Sequence, residues 1–467
     1  MKVRFIVPKG IHRGFSPGLA YVSTFLKNNN NIDDIKIIDI NNRLDNTEKR
    51  FKECFDADLV GFTVLSMHSR EIAQMIQQIK SHNPDVKIVV GGPHINVAGE
   101  EFLTNSKSDV GVLGEGEITL SKFVKNWNFN TKGLIYKDDG EVKNTGKSER
   151  IKDLDKLPFP EYELFDSFTG KISRYSIVSS RGCPFSCSFC SINFTMGRKW
   201  IGRSPESIIE EIQHAKEKYK PISFNFNDDN LLIDRKRAIK IFESIINEHL
   251  NIKFGIFSGV RADLCDEEIV SLMKDAGCDG VAIGMESGSP LVFKGINKKE
   301  THEDIEEAVR LFKKYNILVE GNFIIGLPNS TLKEERESIK FAKNLKIDSA
   351  IFGLLLPFPG TEVINWVNKH GTWLADWREC FPQGINPKVL FETPEFSRNE
   401  RLKAYNEANI KLHNYFAFIN ENKSIYNNIF NVVNTVFNYD IFRIPSHLFW
   451  GLKHRKKILE RLIYKNK

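Results

Sequence analysis

The tightest constraint on this chain is the stretch from Ser179 to Ser191, SSRGCPFSCSFCS. It sets Cys183, Cys187 and Cys190 in a Cys-x3-Cys-x2-Cys spacing, directly after a run that alternates like a strand. Thiolates at this density suit a single soft metal centre. Structural zinc takes four protein ligands and catalytic zinc takes histidine as well. The stretch from Ser191 to Gln213 holds neither cysteine nor histidine. An iron–sulfur cluster with one iron left without a protein ligand fits the three thiolates better, and that iron is open to a substrate. Three ordinary buried cysteines, or a zinc site, are the bland alternatives.

The rest of the chain sets the surroundings. At 467 residues it exceeds what one core supports, so two or three domains are expected. Seven cysteines with one tight triplet, and no signal-peptide pattern, point to a reducing cytoplasm rather than to disulfides. Cys54, Cys265, Cys278 and Cys380 are scattered and read as plain thiols. No apolar run approaches the roughly 18–20 residues that span a bilayer. From Ile441 to Lys467 eight Lys/Arg stand against the single Glu460, a local +7, so the remainder carries about −1 of the net +6. The main body is no polycation, and no nucleic-acid partner is expected.

Residues 1–150 alternate β-branched runs (Val3–Val7, Ile35–Ile40, Leu59–Val64, Val86–Val90, Val110–Leu113) with helical patterns at Gly18–Lys27, Asn46–Phe55 and Arg70–His82. Strands buried on both faces and separated by helices predict an α/β, doubly wound, Rossmann-like parallel sheet. Ligands bind such a sheet at the carboxyl ends of its strands. Those ends carry Thr63 and Leu65, then Gly91 and Gly92, then Gly114, Glu115 and Gly116. Asp138-Asp139-Gly140 is a hairpin turn between Leu134–Lys137 and Glu141–Lys143. A linker with Pro158 and Pro160 follows over 151–170.

Over 171–370 six further strands are predicted: Tyr175–Val178, Ser223–Phe226, Lys253–Phe257, Gly280–Ile283, Leu318–Ile325 and Ala350–Leu356. Each is covered by a helical run, which makes a partial (β/α)6 barrel of the TIM type with its chemistry at the strand ends. The cysteine loop follows the first strand. Later strand ends carry groups suited to a nucleoside and an amino acid. Asp228 and Asp229 can accept from an ammonium, and Arg261 can meet a carboxylate in two-point fashion. Glu286, beside Ser287, can accept from ribose hydroxyls, and Gly326 allows close approach of a base. Each acid has the alternative role of a helix cap or surface ion pair.

The cysteine loop, with the aromatic Phe189 just before its last cysteine, resembles the cluster loop of the radical S-adenosylmethionine superfamily. Thr63-x-Leu65 and Gly91-Gly92 resemble the cobalamin-binding domain that many of those enzymes carry, and the likeness runs from about Phe15 to Glu362. The Asp-x-His-x-x-Gly motif that gives cobalt a histidine in classical cobalamin domains is absent: the loop reads PKGIHRGFSPG, with Gly10 two before His12. The resemblance implies a 4Fe-4S cluster on Cys183, Cys187 and Cys190 and S-adenosyl-L-methionine near Phe189, Asp228, Asp229, Arg261, Glu286, Ser287 and Gly326. It also implies cobalamin over Thr63, Leu65, Gly91, Gly92, Gly114, Glu115 and Gly116, with no histidine below the cobalt.

The expected function is that of a cobalamin-dependent radical methyltransferase. A 5′-deoxyadenosyl radical opens an unactivated carbon or phosphorus centre, and methylcobalamin supplies the methyl group. The substrate is expected to be a small or lipid-like molecule and the electron donor a flavodoxin or ferredoxin. Cyclisation or rearrangement without net methylation is the main alternative. An RNA methylthiotransferase would need a second cysteine set, and only Cys54 lies before residue 150. A non-enzymatic redox sensor is the third. Residues 371–467 read as mostly helical, with Ser397–Ile419 the longest periodic run and a basic end, Leu448–Tyr464, suited either to an anionic membrane surface or to a solvated helix.

Overall fold

The structure is a computed structural model that describes residues 1–8, 14–42, 45–379 and 387–412. His12, Cys380 and the basic end Leu448–Tyr464 lie outside the described residues. The chain forms two units. The first takes Met1–Ser186, Cys190–Val260 and Glu267–Asp279; the second takes Cys187–Phe189, Arg261–Asp266 and the chain from Gly280 onward.

In the first unit, strands β1 (Lys2–Val7), β2 (Asp34–Asp39), β3 (Leu59–Thr63), β4 (Lys87–Gly91) and β5 (Val110–Val112) run parallel. The order is β2-β1-β3-β4-β5-β6-β7, where β6 (Leu134–Asp138) and β7 (Glu141–Asn144) add antiparallel at one edge. Their turn holds Asp139 and Gly140 at positive φ, 48° and 85°, as a tight hairpin twisted with its strands requires. Helices cover the sheet because their apolar residues recur on one face. In Ser69–His82, Ile72, Ile76 and Ile79 are fully buried, each contributing about 1.5–3 kcal/mol over exposure. Cys54 is buried in the same core, and burial pushes its thiol up to about 12. The proline-bearing segment from Ile151 packs against this sheet: Asp166 accepts from Arg50 Nε at 2.6 Å, and Phe165 bridges Ile37 of β2.

The same unit carries β8 (Arg174–Ile177), β11 (Ser223–Phe226) and β12 (Phe254–Val260), mutually parallel. Between β8 and β11 lie two short strands, β9 (Ser180–Arg181) and β10 (Ile201–Gly202), which pair antiparallel. Helix Pro205–Lys218 starts on a Ser204 side chain that accepts from Ser207 N, and it buries Ile208, Ile209, Ile212 and Ala215. In the second unit β13 (Cys278–Glu286), β14 (Leu318–Ile325) and β15 (Ser349–Leu354) run parallel. Capping boxes at Thr301 and Thr331 start the helices that alternate with them, His302–Lys314 and Leu332–Leu345. Each unit thus carries three of the six parallel strand–helix units expected along this part of the chain.

Beyond β15 come helices Glu362–His370 and Arg398–Lys411, the described part of the helical C-terminal region. A two-residue antiparallel pair, β16 (Thr372–Trp373) with β17 (Phe391–Glu392), interrupts that region and was not legible as a strand pattern. Among the described residues no helix is long and apolar enough to cross a membrane.

Candidate functional site

The cysteine loop leaves β8 and is closed at its neck by β9 and β10. Two buried arginines hold that neck. Arg237 Nη2 donates to Ser179 O at 2.6 Å and its Nε to Arg203 O at 2.5 Å, one carbonyl on each side of the loop. Arg203 is ion-paired with the buried Glu211 and donates to Ser207 Oγ at 2.9 Å. Past the neck Gly182 turns at φ 91°, a conformation that favours glycine, and its N–H donates to Asp229 Oδ2 at 2.7 Å. Cys183, Cys187 and Cys190 are half-buried. Cys183 and Cys190 go with the first unit, while Cys187–Phe189 go with the second. There Ser188 N–H donates to Ile296 O at 2.9 Å, and Ser188 O accepts from Val363 N at 3.2 Å. Among the described residues no three His, Cys, Asp or Glu are drawn together closely enough to hold a metal ion.

A cavity of about 320 Å³ opens within the first unit. Thr63, Gly91, Gly92, Gly114, Glu115 and Gly116 line it; Leu65, half-buried, does not. The polar part of the wall also takes in Tyr21, Glu117, Ser180, Arg181, Asn227 and Asp229, and the apolar part includes Phe5, Leu19, Phe62, Val89, Val112, Leu120 and Val178. Gly92 stands at φ 95°, and a Cβ there would lie 2.7 Å from Thr63 Oγ1 and 3.1 Å from Val64 N. Among the described residues no histidine lines the cavity: His94 Nδ1 bonds Ser66 Oγ at 3.2 Å in the core, and His68 lies 3.4 Å from Glu71. Asp228, one residue before the lining Asp229, is buried. Its Oδ1 accepts from Ser179 and Ser180 hydroxyls at 2.9 and 2.6 Å, while Oδ2 has no hydrogen-bond partner. Burial pushes its carboxyl up to about 6.

The second unit has its own cavity of about 290 Å³ at the carboxyl ends of β14 and β15, lined by Phe189, Glu286, Asn322 and otherwise apolar residues such as Phe323, Ile351, Leu354 and Phe358. Glu286 sits at φ 54° on a bulge in β13, and its Oε1 lies 3.0 Å from the buried Lys298 Nζ. Lys298 also lies 3.0 Å from Glu300 Oε2. The other expected nucleoside-site residues are differently engaged. Arg261 meets protein carboxylates, Asp263 at 2.8 Å and Glu300 at 3.6 Å. Ser287 is buried, its hydroxyl 3.2 Å from Ser338 Oγ. Gly326 is outside the lining: its N–H donates to Glu335 Oε1 at 2.9 Å, its carbonyl accepts from Arg401 Nη1 at 3.3 Å, and a Cβ would collide with that guanidinium. The glycine there makes room for Arg401 of the C-terminal helix.

The family model of the radical SAM superfamily matches residues 177–342 and that of the B12-binding domain matches residues 5–124. An uncharacterized methyltransferase of Pyrococcus horikoshii, PH0819, is 33% identical over 375 residues, covering 78% of this chain and 80% of that one. This chain belongs to the radical SAM superfamily. Within it, the chain falls among the members that carry a cobalamin-binding domain. The anaerobic magnesium-protoporphyrin IX monomethyl ester cyclase of Rubrivivax gelatinosus is 29% identical, over 74% of this chain and 65% of the cyclase. Among solved structures, the methyltransferase TsrM from Kitasatospora setae, with cobalamin and a [4Fe-4S] cluster bound, superposes with a TM-score of 0.65 at 20% identity, covering 78% of this chain and 77% of that one.

The radical SAM enzyme described here therefore uses a 4Fe-4S cluster, S-adenosylmethionine and cobalamin. Gly91 and Gly92 leave the cavity wall without side chains at the carboxyl end of β4, where a large cofactor would approach the backbone. The unpartnered Asp228 Oδ2 is a buried acceptor suited to an ammonium. Three thiols on one short loop would be the donor set of a cluster with an open iron. The strand end Gly114-Glu115-Gly116-Glu117 is legible in the sequence, and Glu117 lines the cavity with it. Sequence reasoning missed Arg181, Lys298, Glu300, Glu335 and Arg401, which nothing periodic marked.

Gly92→Ala is expected to weaken cobalamin retention at least tenfold, because the new methyl must displace Thr63 or the Val64 backbone at the cradle; equilibrium dialysis measures it. Glu335 is buried, and burial pushes its carboxyl from 4.5 up to about 7. Between those values the native state keeps a proton that the unfolded chain has lost, so this contribution to stability is present at low pH and is lost as pH rises through about 7. Glu335→Gln should match the wild type near pH 4 and exceed it at pH 8 by up to about 3 kcal/mol, at 1.36 kcal/mol per pKa unit. Urea denaturation at both pH values checks this.

Proposed function

We propose that this enzyme transfers a methyl group to an unactivated carbon or phosphorus centre of a small, largely apolar molecule. When bound, the cluster supplies the electron that cleaves S-adenosylmethionine to a 5′-deoxyadenosyl radical, and cobalamin carries the methyl group. One observation carries the reading: the glycine ends of the N-terminal sheet and residues of the cysteine-loop neck, Ser180 and Arg181, line a single cavity. Methyl carrier and radical source then share a wall. Apolar walls in both cavities exclude water while a radical lives. In the second, Glu286 is held by Lys298 as an acceptor for ribose hydroxyls, with Phe189 against the nucleoside.

A reducing cytoplasm and a flavodoxin- or ferredoxin-type donor suit a protein whose thiols must stay reduced. Peripheral membrane contact would rest on the basic end outside the described residues. The cyclase relative motivates a second reading, rearrangement without methylation. Anaerobic incubation of candidate substrates with S-adenosylmethionine deuterated on its methyl group separates the two. A product heavier by one labelled methyl group in place of hydrogen supports transfer, and any other mass change supports cyclisation or rearrangement.

A further inference from the structure

Arg181 stands two residues before Cys183, yet its side chain is spent on the N-terminal sheet. Nη1 donates to Glu115 Oε1 at 2.9 Å and Nη2 to Glu117 Oε1 at 2.7 Å, and all three side chains are buried and line the cavity. The guanidinium also sits 5.6 Å over the ring of Tyr21, another wall residue. Glu115 is itself fixed, its Oε2 accepting from Arg150 Nε at 3.0 Å and from Ile151 N at 2.7 Å. On the far side of Arg181 the backbone has little freedom. Gly182 donates to the lining Asp229, and a Cβ on it would lie 2.5 Å from Lys199 O. The three cavity-lining carboxylates are therefore engaged in holding the first two residues of the cysteine turn.

We propose that Arg181 is a positioning residue that couples the two cofactors: cobalamin in the cavity fixes Glu115 and Glu117, and through Arg181 the placement of Cys183. A two-pronged, desolvated guanidinium contact transmits a shift of the helix start at Gly116 directly to the turn, because neither end can slide without leaving a buried charge unmatched. Coupling between two binding events is reciprocal. Cluster formation should then tighten cobalamin binding, and cobalamin should alter the cluster's electronic environment. This rests on reading the cavity as the cobalamin site.

The test measures the dissociation constant of hydroxocobalamin for the full chain before and after cluster reconstitution, and the electron paramagnetic resonance spectrum of the reduced cluster with and without hydroxocobalamin. Wild type should bind at least about 5-fold tighter once reconstituted, the lower end of typical couplings, and its spectrum should shift. Arg181→Lys keeps the charge but reaches only one carboxylate, and Glu117→Gln, the milder change should Arg181 variants fold poorly, weakens one prong. Both should still take up iron and cobalamin, with the ratio falling towards one and the spectral shift fading. An equal ratio in wild type and variants overturns the proposal, as does a wild-type ratio of one. Failure of wild type to bind hydroxocobalamin in either state is a different result: it removes the cavity reading, and the proposal with it.

Discussion

Serine at Cys183, Cys187 or Cys190 is expected to lower 5′-deoxyadenosine formation to the reagent blank and to leave iron well below four atoms per chain. A serine hydroxyl is hard and stays protonated, whereas the cluster needs soft, deprotonated sulfur. With three protein donors on the loop and one iron open, losing any donor leaves too few to hold the cluster. Because these thiols are half-buried, the apo fold should change by less than about 1 kcal/mol. Cys54→Ser gives the opposite pattern. Its thiol is buried in the core of the N-terminal sheet, so a hydroxyl there costs about 1–3 kcal/mol of stability while iron content is kept. Iron analysis, the cleavage assay and urea melts on the four variants separate ligand from core.

The second large effect is expected at Gly182. An alanine at φ 91° carries strain of about 1–3 kcal/mol. Its methyl group would also lie 2.5 Å from Lys199 O, a backbone atom that yields only if the loop's return path moves. The hydrogen bond to Asp229 then lengthens, and Cys183 shifts with it. Gly170→Ala is the matched control: its φ is 89° and a Cβ would meet nothing within 4 Å. Both variants should lose stability by the strain alone. Gly182→Ala should in addition lose most of its reconstituted iron and its cleavage of S-adenosylmethionine, whereas Gly170→Ala should keep both.

The parallel sheets were legible because their strands are β-branched runs bounded by glycine, proline or acid. β11 and β14 match expectation residue for residue, and β1 to β5 differ by one or two at the ends. The Asp139-Gly140 turn was readable from its need for positive φ. The pairs β16–β17 and β9–β10 were not, since two residues show no period. The cysteine spacing stood out because the donors are local. The charges around them could not be found that way. Arg181 meets acids 66 and 64 residues away, and Arg401 meets Gly326 across 75. Such partners are set by topology, which no local pattern encodes. Gly326 illustrates the limit: its need for space was visible in the sequence, but the group filling that space was not.

An enzyme of this design spends S-adenosylmethionine in two ways, on a cluster and on a cobalamin. The most direct test is to express the protein with cobalamin, reconstitute iron and sulfide anaerobically, add S-adenosylmethionine and reductant, and quantify both nucleoside products beside cobalt and iron per chain. Bound cobalamin together with 5′-deoxyadenosine and S-adenosylhomocysteine is the expected result. Deoxyadenosine alone, from protein that retains no cobalamin, would contradict it.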